Sequence, residues 1–216
     1  MTVLKMVFDR TLKRATREEP IFLDAQLYPD LEALTKKIVW KYKAKITPDL
    51  VARDQALFAF LLLTGLRISE ALAVKRKQLR IYPGRIEAAN IRTAKRGLTR
   101  IKIILPKKGS LKGLTLIFEE WLLKIEDQDA YIFPTAAGSK FNFKKPLDRT
   151  RAYRIVALTG KFPHWARAVC ETIYGRKVFK NDAWKLKEFM GLKRLDSTAA
   201  YVSGSWEDNE KDVFKL

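Results

Sequence analysis

The sequence predicts a mainly α fold carrying a small three-stranded antiparallel sheet, an α+β arrangement, and three observations predict it. Apolar residues recur at helical spacing from Leu50 onwards, the period shortens to two between Gln78 and Leu105, and helical spacing then returns as far as Met190. With 216 residues, 47% of them hydrophobic and 11% aromatic, the chain is long enough to bury a real core in one domain with a short appendage.

The first 46 residues are basic and weakly patterned, with one helix expected from about Pro29 to Tyr42. Thr47-Pro48-Asp49 then starts a helix: the threonine hydroxyl accepts from an unbonded N–H of the first turn, and proline sits where no N–H is needed. Leu50, Ala56, Leu57, Phe60 and Leu61 make this helix amphipathic, Gly65 stops it, and a second helix is expected from Ser69 to about Val74. Gln78–Tyr82, Gly84–Arg92 and Leu98–Leu105 read as strands, joined by Pro83-Gly84 and by a tip at Lys95-Arg96-Gly97. Ile101, Ile103 and Leu105 alternate with Arg100, Lys102 and Ile104. Further helices are expected at Leu114–Ile125, Lys145–Leu158, Pro163–Tyr174 and Lys185–Met190, followed by a polar tail from Val202 to Leu216. Trp165 and Trp184 read as core or interface residues rather than base-stacking groups.

Lysine and arginine number 43 against 24 acidic residues, a formal charge of +19, and the natural partner of such a field is a polyanion, nucleic acid first. A membrane surface is the competing partner, but there is neither a dense basic amphipathic helix nor an apolar run of spanning length, and the N-terminus lacks a signal-peptide pattern. The expectation is an intracellular protein that does not engage a membrane. One cysteine, Cys170, and one histidine, His164, make a disulfide impossible within the chain and a zinc site improbable, so no metal and no cofactor are expected.

Four groups of residues carry chemistry. In Thr64-Gly65-Leu66-Arg67-Ile68-Ser69-Glu70 a helix stops at glycine and the next opens with an arginine, whose guanidinium Glu70, three residues on, can hold. Lys95 stands at the hairpin tip with Arg100 five residues later. His164-Trp165-Ala166-Arg167 puts a histidine and an arginine on one helical face. Gly191 precedes Tyr201 by ten residues, with Ser197-Thr198-Ala199-Ala200 between them.

In this order and spacing the four groups resemble the motifs of the tyrosine recombinase, or phage integrase, family over about Thr47 to Val202. The resemblance implies the catalytic-domain fold of that family, with 1–46 as lead-in, 47–202 as catalytic domain and 203–216 as tail. It implies a site-specific recombinase that cleaves and rejoins double-stranded DNA through a 3′-phosphotyrosine on Tyr201, with no metal or ATP. By the same resemblance Arg67, Lys95, His164 and Arg167 complete the catalytic set and four protomers act on two sites in a prokaryotic host; Glu70, by its spacing from Arg67, and Lys193, by its place beside Leu192, are expected as accessory residues. The resemblance breaks at Leu192, where the family has His or sometimes Trp, and at Ala168, where it often has a second histidine. Leucine has no proton to give or take.

These residue types suit the reaction. Attack of a hydroxyl on a phosphodiester gathers negative charge on the non-bridging oxygens, and arginine neutralises it with a planar fork that stays protonated. Arg149, Arg151 and Arg154, grouped on one expected helix, read with Arg100 as DNA contacts that add affinity without reading sequence. Two other readings use the same residues: a type IB topoisomerase that relaxes DNA as a monomer, and a DNA-binding member of the fold that has lost catalysis, for which Leu192 speaks.

Overall fold

The computed structural model describes residues 27–39, 47–92 and 99–192. They fall in two compact units, one spanning Asp24–Cys170 and the other containing the described residues from Glu171 onwards. Seven α-helices occur among the described residues, with a three-stranded and a two-stranded sheet.

In the first unit, α1 (Leu27–Lys36) precedes α2 (Pro48–Thr64). Thr47 caps α2 through its side chain, which accepts from the Leu50 N–H, and Pro48 opens it as expected. The helix is not amphipathic throughout. Every residue from Ala56 to Thr64 is buried, so its second half runs through the core and is apolar all round. Phe60 stacks on Phe118 of α4 (Lys112–Leu122) at 4.7 Å between ring centroids, and Phe133 tilts against both at 5.7 and 6.3 Å. Trp121 is buried with its indole N–H donated to the Ile132 carbonyl at 2.7 Å.

The sheet β1 (Leu79–Tyr82), β2 (Arg85–Arg92), β3 (Thr99–Pro106) is antiparallel in chain order, within a residue or two of the expected spans. Ile86 lies opposite Leu105 and Ala88 opposite Ile103, all fully buried. The other face is charged: Glu87 pairs with Arg85 at 2.7 Å and Lys102 at 2.9 Å. Hydrogen bonds from Lys102 and then Arg85 hold the Glu87 carboxyl below its ordinary range.

The next segment departs from expectation. Pro134–Ala137 (β4) and Lys140–Pro146 (β5) form a hairpin where no strands were expected, so the helix expected from Lys145 starts only at Arg149, as α5 (Arg149–Ala157). The physical reason is local. Pro146 cannot supply a helical N–H, and Asp148 caps α5 by accepting from the Thr150 and Arg151 N–H groups at 2.9 and 3.1 Å. The hairpin is tied to α2 by a buried ion pair. Arg53 donates through Nε and Nη2 to one Asp54 oxygen at 2.8 and 2.6 Å, and through Nη1 to the Pro134 carbonyl at 3.0 Å, and it lies over the Phe141 ring. Burial pulls the Arg53 guanidinium below its ordinary pKa, and Asp54 opposes that pull.

Helix α6 (Pro163–Ile173) begins in the first unit and ends in the second. Within the second unit, a π-helical turn (Tyr174–Val178) precedes α7 (Ala183–Met190). Tyr174 stacks on Phe189 at 4.1 Å and Phe179 meets Phe189 edge-on at 5.6 Å, while Leu186 and Met190 are buried. Gly191, at φ 61°, closes α7 in the left-handed conformation that glycine adopts without strain. Trp184 is 66% exposed, so of the core and interface readings it does not fit the first.

Candidate active site

The site is built around the turn between α2 and α3 (Ile68–Leu72). Gly65 takes a left-handed conformation, φ 60°, and returns its N–H to Leu61 at 2.9 Å, so α2 ends there as expected. The chain re-enters helix at once, with Arg67 as the N-cap residue of α3 in extended conformation. Arginine has no acceptor with which to cap a helix, so the capping comes from Glu70. One Glu70 oxygen accepts the Arg67 N–H at 2.8 Å and the other accepts from Arg67 Nη1 at 2.9 Å. The carboxylate is 2% exposed and the Arg67 side chain 33%. A buried anion thus fixes both backbone and head group of a cation that still reaches solvent, as the spacing predicts.

Arg167 arrives from α6. Phe162 accepts the N–H groups of Trp165 and Ala166, so Pro163 occupies the first helical position and His164 the first turn. His164 is exposed, and Arg167, one turn later, is 4% exposed. Arg167 Nη1 donates to the Gly65 carbonyl at 2.7 Å across 102 residues of sequence. The gripped carbonyl lies two residues ahead of Arg67, so the first and third motifs meet at one turn. Sequence reasoning assigned Gly65 the end of a helix and missed it as the acceptor for Arg167. The signal available was only the glycine itself, which leaves its carbonyl approachable.

The remaining expected residues are distributed as follows. Arg149, Arg151 and Arg154 are exposed on α5, whose opposite face buries Ala152, Ile155 and Val156. Arg100 lies in β3 opposite Ile91. Lys95, in the segment joining β2 to β3, and Lys193 and Tyr201, after α7, lie outside the described residues. Leu192 follows the Gly191 cap, part-buried, with its N–H on the Lys187 carbonyl at 2.9 Å. Ala168 is buried at 3% exposure. No helix among the described residues is long and apolar enough to cross a membrane.

The fold is similar to that of several solved structures. The XerH site-specific recombinase, in a pre-cleavage complex with its difH substrate, superposes with a TM-score of 0.62 at 18% identity, covering 90% of this chain and 53% of that one. The Tn1549 transposon integrase, in complex with circular intermediate DNA, gives 0.55 at 15% identity, covering 92% and 67%. The XerA recombinase gives 0.54 at 17%, covering 92% and 64%. The chain thus spans about half the length of XerH. No curated protein matches it in sequence. The family described as the phage integrase family matches over residues 35–206, a span that holds Arg67, Lys95, His164, Arg167 and Tyr201, and the chain belongs to that family.

Proposed function

We propose that this chain is a site-specific DNA recombinase of the integrase type, cleaving and rejoining strands through Tyr201. The observation that carries the reading is the Arg167–Gly65 hydrogen bond, which joins two arginine motifs at one turn and, with the Arg67–Glu70 pair, gives two separately anchored guanidiniums. Two fixed cations are what a phosphoryl transfer needs, because they neutralise the non-bridging oxygens with little reorganisation as charge develops. In the proposed step the Tyr201 oxygen attacks phosphorus and loses its proton, for which His164 is the base or, when protonated, a donor to the phosphate. The 5′ oxygen leaves and takes a proton from Lys95. The 3′-phosphotyrosine keeps the energy of the broken bond, so attack by another 5′-hydroxyl rejoins the strands and restores the tyrosine without metal or ATP. Glu70 is a positioning residue for Arg67, and Lys193 places an ammonium near the phosphate.

Arg100, Arg149, Arg151 and Arg154 contact the backbone of double-stranded DNA, and XerH and the Tn1549 integrase, both solved on DNA, support that partner. The assembly is a tetramer on two sites, acting on DNA inside a prokaryotic cell. Residues 1–46 are its lead-in, 47–202 its catalytic domain and 203–216 its tail. A second reading, a DNA-binding member with weak catalysis, is favoured by Leu192, which ends the α7 cap with a side chain unable to transfer a proton. Plasmid relaxation measured beside recombination of paired sites tests the proposal. Exchange between paired sites supports it, and relaxation with no site preference replaces it with a type IB topoisomerase.

A further inference from the structure

The second unit presents a feature that the cleavage chemistry does not use. Thirteen residues, Arg176 to Glu188, hold five cations and two carboxylates, Asp182 and the exposed Glu188 one turn after Trp184. Asp182 is engaged: it caps α7 through the Lys185 N–H at 3.0 Å and pairs with Lys185 Nζ at 3.2 Å. Lys177, Lys180 and Lys185 are exposed. In their midst Trp184 is 66% exposed, with Lys187 Nζ 4.9 Å from its ring centroid. The platform beneath is firm. The stack of Tyr174 on Phe189, the edge contact of Phe179 and the burial of Leu186 and Met190 anchor the opposite face of α7. The turn leading in is held by the Asn181 N–H on the Gly175 carbonyl at 2.8 Å.

A single exposed apolar residue is ordinary, but the largest side chain, set in a cationic surface on a rigid helix, combines the two elements that bind single-stranded nucleic acid. The cations hold phosphates, and the ring offers a π-face to an unpaired base. Lys187 covers part of the indole and leaves most of it in water. A protein partner for this surface would have to bring an acidic patch and would leave the π-face of the indole without a matching group, and a membrane would call for a broader apolar face than one ring.

We propose that Trp184 is a base-stacking residue: with Lys177, Lys180, Lys185 and Lys187 it forms a contact surface for an unpaired nucleotide of a DNA substrate. The proposal goes beyond the cleavage reading and stands without it, because covalent capture through Tyr201 and stacking on Trp184 are read by separate signals.

The test is tryptophan fluorescence of the full chain, wild type against Trp184→Phe, titrated with a blunt duplex, with the same duplex carrying a short single-stranded gap, and with phosphatidylcholine–phosphatidylglycerol vesicles. Stacking predicts that the part of the signal lost in Trp184→Phe is quenched by the gapped DNA and much less by the blunt duplex. It also predicts that Trp184→Ala binds gapped DNA about tenfold more weakly while Trp184→Phe keeps most of the affinity. Equal affinities of wild type and Trp184→Ala for gapped DNA overturn the proposal, as does a Trp184 signal that responds to vesicles and not to DNA. The residue's exposure keeps both variants folded, and far-UV circular dichroism checks this.

Discussion

Arg67 and Arg167 differ from the other surface cations in how they are held. Arg149, Arg151 and Arg154 are exposed, and a long flexible side chain in water loses entropy on meeting a phosphate. Arg67 has its head group on a buried carboxylate, and Arg167 is buried with one nitrogen fixed to a backbone carbonyl. Both are therefore already oriented for the charge that develops in the proposed cleavage step. Arg67→Ala is expected to slow cleavage on the order of a hundredfold to a thousandfold, equivalent to about 2.7–4 kcal/mol of transition-state stabilisation. Glu70→Ala should slow it by about ten- to a hundredfold, because a charged hydrogen bond orienting Arg67 is lost, while leaving DNA affinity nearly unchanged. Single-turnover cleavage measured beside equilibrium binding separates the two quantities. A Glu70→Ala variant that loses affinity and rate in proportion would show the carboxylate acting on binding rather than on the orientation of Arg67. The Arg67–Glu70 pairing was legible in the sequence because it joins residues three apart at the start of one helix. The Arg167–Gly65 bond was not, because nothing local in either motif encodes a contact across 102 residues.

At the scale of elements, the parts read well where capping and period agreed. Thr47-Pro48 and Gly65 bracket α2, because caps are local chemistry, whereas Gly191, read only by its distance from Tyr201, also ends α7. The hairpin β4–β5 was missed although its alternation of Lys140, Phe141, Asn142, Phe143 and Lys144 after Gly138 is a strand signal. The arginines beyond it drew the helix assignment forward, past Pro146. The Arg53–Asp54 pair was hidden for a different reason: adjacent opposite charges on a helix ordinarily face water, and only the tertiary fold makes these fully buried. That burial makes a firm prediction. Arg53→Ala removes the Arg53 ion pair from the buried Asp54 and the donor from the Pro134 carbonyl, and should destabilise the chain by about 3 kcal/mol in a denaturant titration. The double variant Arg53→Met, Asp54→Leu should recover much of that loss, since an apolar pair has no charge to desolvate. A double variant no more stable than Arg53→Ala would show that the pair holds the hairpin through its specific hydrogen bonds.

For the whole molecule, a formal charge of +19 would make the proposed association with DNA largely an exchange of counterions. The logarithm of the binding constant should fall linearly with the logarithm of salt concentration. Replacing Arg149, Arg151 and Arg154 together with alanine should flatten that slope by roughly 0.9 for each phosphate contact removed, while the ratio of affinities for different sequences stays the same. A triple variant with an unchanged slope would take α5 out of the DNA interface. The charge could be read from composition alone, but its placement on the exposed face of α5, opposite Ala152, Ile155 and Val156, required the fold. The central claim, a covalent enzyme with Tyr201 as nucleophile, is tested most directly by incubating the full chain with a nicked DNA substrate whose cleaved fragment diffuses away, and resolving the products in SDS. Wild type is expected to give a protein–DNA adduct and Tyr201→Phe none; no wild-type adduct, or an adduct that survives Tyr201→Phe, would remove Tyr201 as the nucleophile.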